Sequence, residues 1–383
     1  MTAYACEYAW LGDDQVTPAV TVQVDGARIT EVAAGGAPPA GAVRLAGVTV
    51  PGLANAHSHA FHRALRSRTQ SGRGTFWEWR DRMYQVASRL DPDGYHRLAR
   101  ATFAEMAMGG VTCVGEFHYL HHRGGGGRYD DPNAMGEALL AAAAEAGIRI
   151  TLLDTCYLEG GPGRPLEGPQ IRFGDGDAGA WADRVARLRP GAGAAIGAGL
   201  HSVRAVPPDQ AEVMAAWADD RGAPLHFHLS EQPGENDACR AAYDRTPTQV
   251  LADSGALGPR ATAVHATHVD DGDARLLSGS GTGVCMCPTT ERDLADGIGP
   301  AGALSDAGVP ISLGSDSHAV VDLWEEARSL EMDERLASGV RGHWTPADLL
   351  RVATAGGHRA LGWPDAGRIA VGAPADLVTV DVR

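Results

Sequence analysis

From Pro51 onward, short apolar runs alternate with helical stretches, and this alternation constrains the chain more than any other feature. The runs span residues 48–54, 112–117, 149–155, 194–200, 225–229, 262–266, 283–286 and 310–313. Most are followed by a helix-like stretch, as at 132–146, 207–220 and 321–337. Such alternation marks a parallel α/β arrangement, because parallel strands need crossovers that cover the sheet. Eight strands fit a closed (β/α)8 TIM-like barrel better than an open sheet, and 383 residues leave room for an accessory unit. The expected organisation is a small β unit begun by residues 1–50, a barrel over 51–362, and a return to the β unit at 363–383. The ending GRIAVGAPADLVTVDVR has β character and can rejoin strands that would otherwise keep open edges, completing a small β-sandwich.

The formal net charge of −15 argues against nucleic acid or an anionic membrane surface as a partner. It also means that an anionic substrate needs arginines placed locally. Six cysteines occur without a CxxC pair, and most lie in or beside apolar runs, as small buried hydrophobes do. The segment Cys285-Met286-Cys287 also allows a thiolate pair. No signal-peptide pattern and no apolar run of membrane-spanning length is present, so a soluble, cytoplasmic protein is expected. Two irregular stretches, the glycine run 124–127 and the Gly/Pro-rich 159–177, fall on the C-terminal side of barrel strands. Loops this long act as lids or binding loops, or are mobile surface.

Polar residues at the ends of the apolar runs carry the chemistry. His57 and His59 in PGLANAHSHAF point to one side of a pleated strand, because side chains alternate with period two. His228 in LHFHLSEQ and Asp316 in LGSDSH stand at two further strand ends. Three imidazoles and a carboxylate at the C-terminal mouth of a barrel describe a mononuclear zinc site with a position left for water. Fe2+ or Ni2+ suits the same donors. All 33 Lys+Arg residues are arginine, so a carbamylated lysine bridging two metals is impossible. Glu231, three residues beyond His228, suits the role of proton carrier for a metal-activated water. His265 in AVHATH is expected as a neutral imidazole that hydrogen-bonds the attacking water or the developing charge, and Asp316 as a second support for that water. His226 reads as a structural histidine, His268 stays unassigned, and His318 is either an orienting group or a plain loop histidine.

This set of HxH, HxxE, an isolated strand-end histidine and a last-strand aspartate resembles the amidohydrolase superfamily, in its mononuclear deaminase branch. The terminal Gly372-Ala373-Pro374-Ala375-Asp376-Leu377-Val378 is also typical of it. The strings HSHAFHRAL, TFWEWRDRMY, GEFHYLHH, LHSVRAVPP and VHATHVD are similar to the N-formimino-L-glutamate deiminases of bacterial histidine degradation, over nearly the whole chain. The resemblance implies a small dicarboxylate substrate bearing a formimino group, and a possible homodimer. It implies that Arg80, Tyr119, His201 and Arg204 hold the glutamate portion, with His62 standing where the family has Gln. Paired guanidinium groups suit two carboxylates. Trp77 and Trp79 read as packing residues. The chain ends at Arg383, where that family continues for several dozen residues. The alternatives are a deaminase of another amidine or nucleobase-type compound, and a catalytically silent barrel.

Overall fold

The computed structural model describes residues 1–69 and 73–382. Four strands open the chain: β1 (Thr2–Ala9), β2 (Thr17–Asp25), β3 (Arg28–Ala34) and β4 (Val43–Pro51). Eight parallel strands follow: β5 (Leu53–Ser58), β6 (Val111–His118), β7 (Arg149–Cys156), β8 (Ala194–Leu200), β9 (Leu225–Leu229), β10 (Ala261–His265), β11 (Gly283–Met286) and β12 (Ile311–Leu313). They pair in sequence order from β5 to β12 as one barrel sheet. The last strand, β13 (Leu377–Val380), returns to the first sheet and pairs antiparallel with β4, Leu377 opposite Pro51 and Val380 opposite Val48. That sheet has the order β13-β4-β1-β2-β3.

The first apolar run, expected as one strand over 48–54, is divided between the two sheets. β4 ends at Pro51 and β5 begins at Leu53, so the chain changes sheets at Gly52. A side chain there is excluded, since a Cβ on Gly52 would lie 2.2 Å from the Thr112 hydroxyl. The apolar character is continuous because both strands are buried, which is why the run reads as a single element.

Helices cover the barrel, and their ends follow from local chemistry. After α1 (Phe76–Ala87), α2 (Pro92–Met108) starts where the Asp91 side chain accepts the Gly94 amide, with proline in the first turn. α3 (Ala134–Ala146) stops at Gly147 in the left-handed conformation. α4 (Ala178–Val185) is capped by Asp177, and α5 (Pro208–Arg221) and α6 (Pro233–Tyr243) begin with prolines.

The barrel closes where β12 meets β5, and little regular ladder is present there. A parallel bridge joins Ser58 to Asp316. The Asp316 amide donates to the His57 carbonyl (3.0 Å), and the His59 amide donates to the Asp316 carbonyl (3.2 Å). Asn55 adds a side-chain clasp, donating to Ser315 Oγ (2.6 Å) and accepting from the Ser315 amide (3.0 Å). Gly314 permits this approach: a Cβ on it would sit 2.7 Å from the His57 Cβ and 2.9 Å from the His57 carbonyl oxygen.

The long loop after β7 is tied down by a buried ionic cluster. Arg184 of α4 donates to both oxygens of Asp154 (2.7 and 2.9 Å) and to Asp175 (2.8–3.0 Å), and contacts Asn133 Oδ1 at 3.2 Å. Trp181 Nε1 also donates to Asp154. Burial opposes ionisation of both aspartates, but the guanidinium and the neighbouring histidines outweigh it and hold both below their ordinary value of 3.8. Removing one partner of such a cluster strands buried charge at a cost of about 3–5 kcal/mol. Arg184→Met should therefore lower unfolding stability at pH 7 by about that amount, measured by urea denaturation. Because the folded pKa values are depressed, this contribution is present above pH 3.8 and fades in stronger acid, where the wild-type and variant curves should converge.

Candidate active site

Strand ends bring four side chains together at the barrel mouth. One ligand atom each from His57, His59, His228 and Asp316 lie within 4.8 Å of one another, and all four residues are buried. His57 Nε2 and His59 Nε2 are 3.1 Å apart, and each is 3.3 Å from Asp316 Oδ1. Two of the imidazoles are oriented from behind by main chain. His59 Nδ1 donates to the Phe117 carbonyl and His228 Nδ1 to the His201 carbonyl, both at 2.9 Å. Each must carry its proton on Nδ1, which leaves the Nε2 lone pair facing the cluster.

Electrostatics keep these groups in ligand form. Burial lowers His57 to about 3 and also lowers His59 and His228, so the imidazoles are neutral near pH 7. Burial alone would raise the Asp316 carboxyl, but His57, His59 and His265 hold it well below the usual carboxylate range. Lone pairs converging on a carboxylate oxygen repel one another unless a cation lies between them. The donor set of three nitrogens and one oxygen suits zinc.

A carboxylate outside the candidate ligands aims the first strand at this point. Glu116 on β6 accepts from Ser58 Oγ (2.6 Å) and from the Ala60 amide (2.7 Å), fixing the chain on both sides of His59. Burial pushes its carboxyl up to about 8 despite those donors. His318 bonds Ser58 Oγ and Ser315 Oγ, both at 3.0 Å, so of its two sequence readings the orienting one matches its position.

Beside the cluster lie Glu231 and His265. His265 Nε2 is 3.8 Å from both Glu231 Oε1 and Asp316 Oδ2, and His265 Nδ1 donates to Glu291 Oε1 at 3.2 Å. Burial disfavours the charged ring, but Glu231, Glu291 and Asp316 outweigh it and raise His265 to about 10. The sequence offered no sign of Glu291, which comes from the helix Pro288–Asp293 after β11.

A cavity of about 540 Å³ opens above these groups, lined by His59, His228, Glu231 and Asp316 at its floor. His62, Arg80, Tyr119, His201 and Arg204 line it too, so all five side chains assigned to substrate meet at one place. His62 Nε2 lies 3.2 Å from the Tyr119 hydroxyl. Arg80 stacks over Trp77, 4.5 Å from its ring, and has no ion pair among the described residues. Arg204 is different, since it donates to Glu231 Oε2 (3.1 Å) and lies 3.5 Å from Glu235 Oε2. Glu235, one turn beyond Glu231, is a neighbour that the sequence did not reveal.

Trp77 and Trp79 line the cavity, and Trp79 also packs against the barrel core. Gly160, Gly161, Pro162 and Arg164 bring the 159–177 loop to its wall, whereas the 124–127 glycines form a turn against Ile171. His226 donates to the Ala360 carbonyl (2.8 Å), and His268 to the Asp296 carbonyl (2.8 Å). All six cysteines are free and buried, and burial drives Cys287 well above the ordinary thiol value, so it is no thiolate. A second His/Asp group, His118, His121 and Asp154, already holds a cation in Arg184. No helix among the described residues is long and apolar enough to cross a membrane.

The amidohydrolase family model matches residues 48–382, covering the barrel and the returning strand. The chain belongs to the amidohydrolase family. It is 39% identical over 356 residues to the formimidoylglutamate deiminase of Pseudomonas aeruginosa, spanning 89% of this chain and 78% of that protein. An amidohydrolase from Brucella melitensis has the same fold with a TM-score of 0.91 and 31% identity, covering 99% of this chain and 86% of that one. An adenosine deaminase from Xanthomonas campestris with bound zinc gives 0.83 and 25%, covering 100% and 84%. These relationships make the protein a hydrolase acting on C–N bonds.

For an amidohydrolase with this donor set, Asp316→Asn or His228→Ala should cut bound metal well below one ion per chain after dialysis, read by elemental analysis. His226→Ala, which alters a ring bonded to the Ala360 carbonyl, should retain it.

Proposed function

We propose that this amidohydrolase performs the zinc-dependent hydrolysis of N-formimino-L-glutamate to N-formyl-L-glutamate and ammonia, a step of histidine degradation. The observation that carries this reading is the cavity over the converging ligands, where Arg80 has no ion pair among the described residues and Arg164 and the glutamate-paired Arg204 stand nearby, in a chain of net charge −15. Local cations in an acidic protein point to an anionic substrate. The similarity to the Pseudomonas deiminase supports the particular dicarboxylate. Six buried free cysteines suit a reducing cytoplasm.

His57, His59, His228 and Asp316 would hold the zinc, which when bound polarises the substrate and lowers the pKa of water. The remaining steps belong to side chains. Arg80 receives one substrate carboxylate, while Tyr119, His62 and His201 line the path of the glutamate portion. Arg204 bonds Glu231 and reaches the second carboxylate from the same position. This places the formimino carbon over the floor of the cavity. Glu231 takes a proton from the attacking water and passes it to the leaving nitrogen. His265, 3.8 Å from Glu231 and Asp316, donates from Nε2 to the developing charge, and Asp316 aligns the water through Oδ2. Ammonia departs as the tetrahedral centre collapses to the N-formyl group, which stays on the glutamate nitrogen.

The aromatic lining (Phe76, Trp77, Trp79, Tyr84, Tyr119 and Tyr157) favours a second reading, deamination of a ring compound of nucleobase type. Product analysis decides between them. Zinc-loaded protein given N-formimino-L-glutamate should release ammonia and formylglutamate. Formamide with glutamate would mean cleavage of the other C–N bond, and turnover only of a nucleobase would establish the ring reading.

Two variants test the roles. Glu231→Gln should keep the metal and lose about 10²–10⁴-fold in kcat, the usual value of a positioned acid–base group. Arg80→Met should raise KM about tenfold to a hundredfold with kcat less affected, matching a charge-assisted contact of about 1.5–3 kcal/mol. An unchanged KM would remove Arg80 from carboxylate binding.

A further inference from the structure

The backbone at the end of β10 is unusual for a residue with a side chain. His265 has φ +71° and Ala266 φ +51°, and the Ala266 amide donates to the Val264 carbonyl at 3.0 Å. An i to i+2 hydrogen bond about a residue with positive φ is the strained form of the γ-turn, which is rare outside glycine. The same amide donates to the Leu229 carbonyl of β9 (3.0 Å), so the kink is braced by the neighbouring strand. The turn directs a fully buried ring into the barrel mouth.

Once there, the ring has a single hydrogen-bonding anchor among the described residues. Nδ1 donates to Glu291 Oε1 at 3.2 Å, and that oxygen also accepts the Cys287 amide at 2.9 Å. Glu291 is thus fixed by the main chain just after β11 before it reaches the ring. The other nitrogen, Nε2, is buried and bonds nothing among the described residues, lying equally far from Glu231 and Asp316. A carboxylate accepts but does not donate, so its contact dictates which nitrogen of His265 carries a proton toward it.

We propose that Glu291 is a positioning residue. It locks His265 with Nδ1 protonated and turned away from the cavity, and so presents Nε2 to the reacting atoms. Glu291 touches neither substrate nor the four ligands and acts only through His265. The inference rests on the functional reading above for its kinetic consequence, but not for the state of the ring.

The test compares zinc-loaded wild type with Glu291→Leu and Glu291→Gln, with a fourth preparation, His265→Asn, for spectral assignment. The first readout needs no substrate. In histidine-labelled wild type, the side-chain nitrogen spectrum, assigned with His265→Asn, should show His265 protonated on Nδ1. In E291L that Nδ1–H signal should be lost or exchange rapidly. E291Q, whose amide oxygen can still accept from the ring, should keep it. The second readout is kinetic. E291L should lose about 10- to 100-fold in kcat, the usual effect of removing a group that orients a functional histidine. KM and metal content should stay within about threefold, and E291Q should recover most of the loss. A wild-type ring bearing its proton on Nε2 alone overturns the proposal, as does a folded E291L with wild-type kcat. Equal loss in E291Q and E291L together with lost metal also overturns it, in favour of a merely structural role. If E291L does not fold, the wild-type spectrum and E291Q decide. Failure of wild type to turn over formiminoglutamate rejects the substrate assignment and leaves the nitrogen spectra to judge Glu291.

Discussion

The closure of the barrel between β12 and β5 is the constraint on which the rest of the molecule depends. A sheet of eight parallel strands must join its two ends, and here β12 supplies only three residues of strand. The joint is completed by the main chain of His57, His59 and Asp316, three of the four groups proposed to hold the metal. Their side chains converge because their backbones are bonded to one another. Asn55, Ser58, Ser315 and His318 reinforce the joint, and Gly314 lets it shut. The site is therefore a product of closure, not a decoration added to a finished barrel.

Strain collects at the same ends. Ser230, His265, Asp316 and His318 all have positive φ, and none is glycine. Such residues cost about 1–3 kcal/mol each and persist only where their surroundings impose them. Here the imposing groups are identifiable: the Leu229 carbonyl behind Ala266, and the His57 carbonyl behind Asp316. Turning the chain sharply at the mouth swings functional side chains inward while the next segment departs toward a covering helix.

Much of this was readable in the residues, for a physical reason. Strand and helix periodicities are local, and histidines two apart share a face whatever lies across the barrel. What sequence could not reveal were partners chosen by closure. Glu116 meets Ser58 across β5 and β6, and Glu291, from the helix after β11, meets His265 at the end of β10, yet each resembles any other acidic residue in its own stretch. Arg204 is assigned to substrate by resemblance, but its pairing with Glu235 depends on how α6 leaves β9. The division of the first apolar run at Gly52 was hidden because both halves are buried. That Trp77 and Trp79 also border a cavity is hidden in the sequence, since an aromatic stripe looks alike whether it faces a core or a cavity.

The seam between first and last barrel strands has a thermodynamic corollary. A bound ion would cross-link the two edges through side chains whose main chains already form the joint, so spreading the barrel and releasing the ion become a single event. Ion occupancy and folding would then be linked functions, and a chelator would act on the metal-loaded protein as a mild denaturant, with a midpoint of unfolding that tracks the logarithm of free metal.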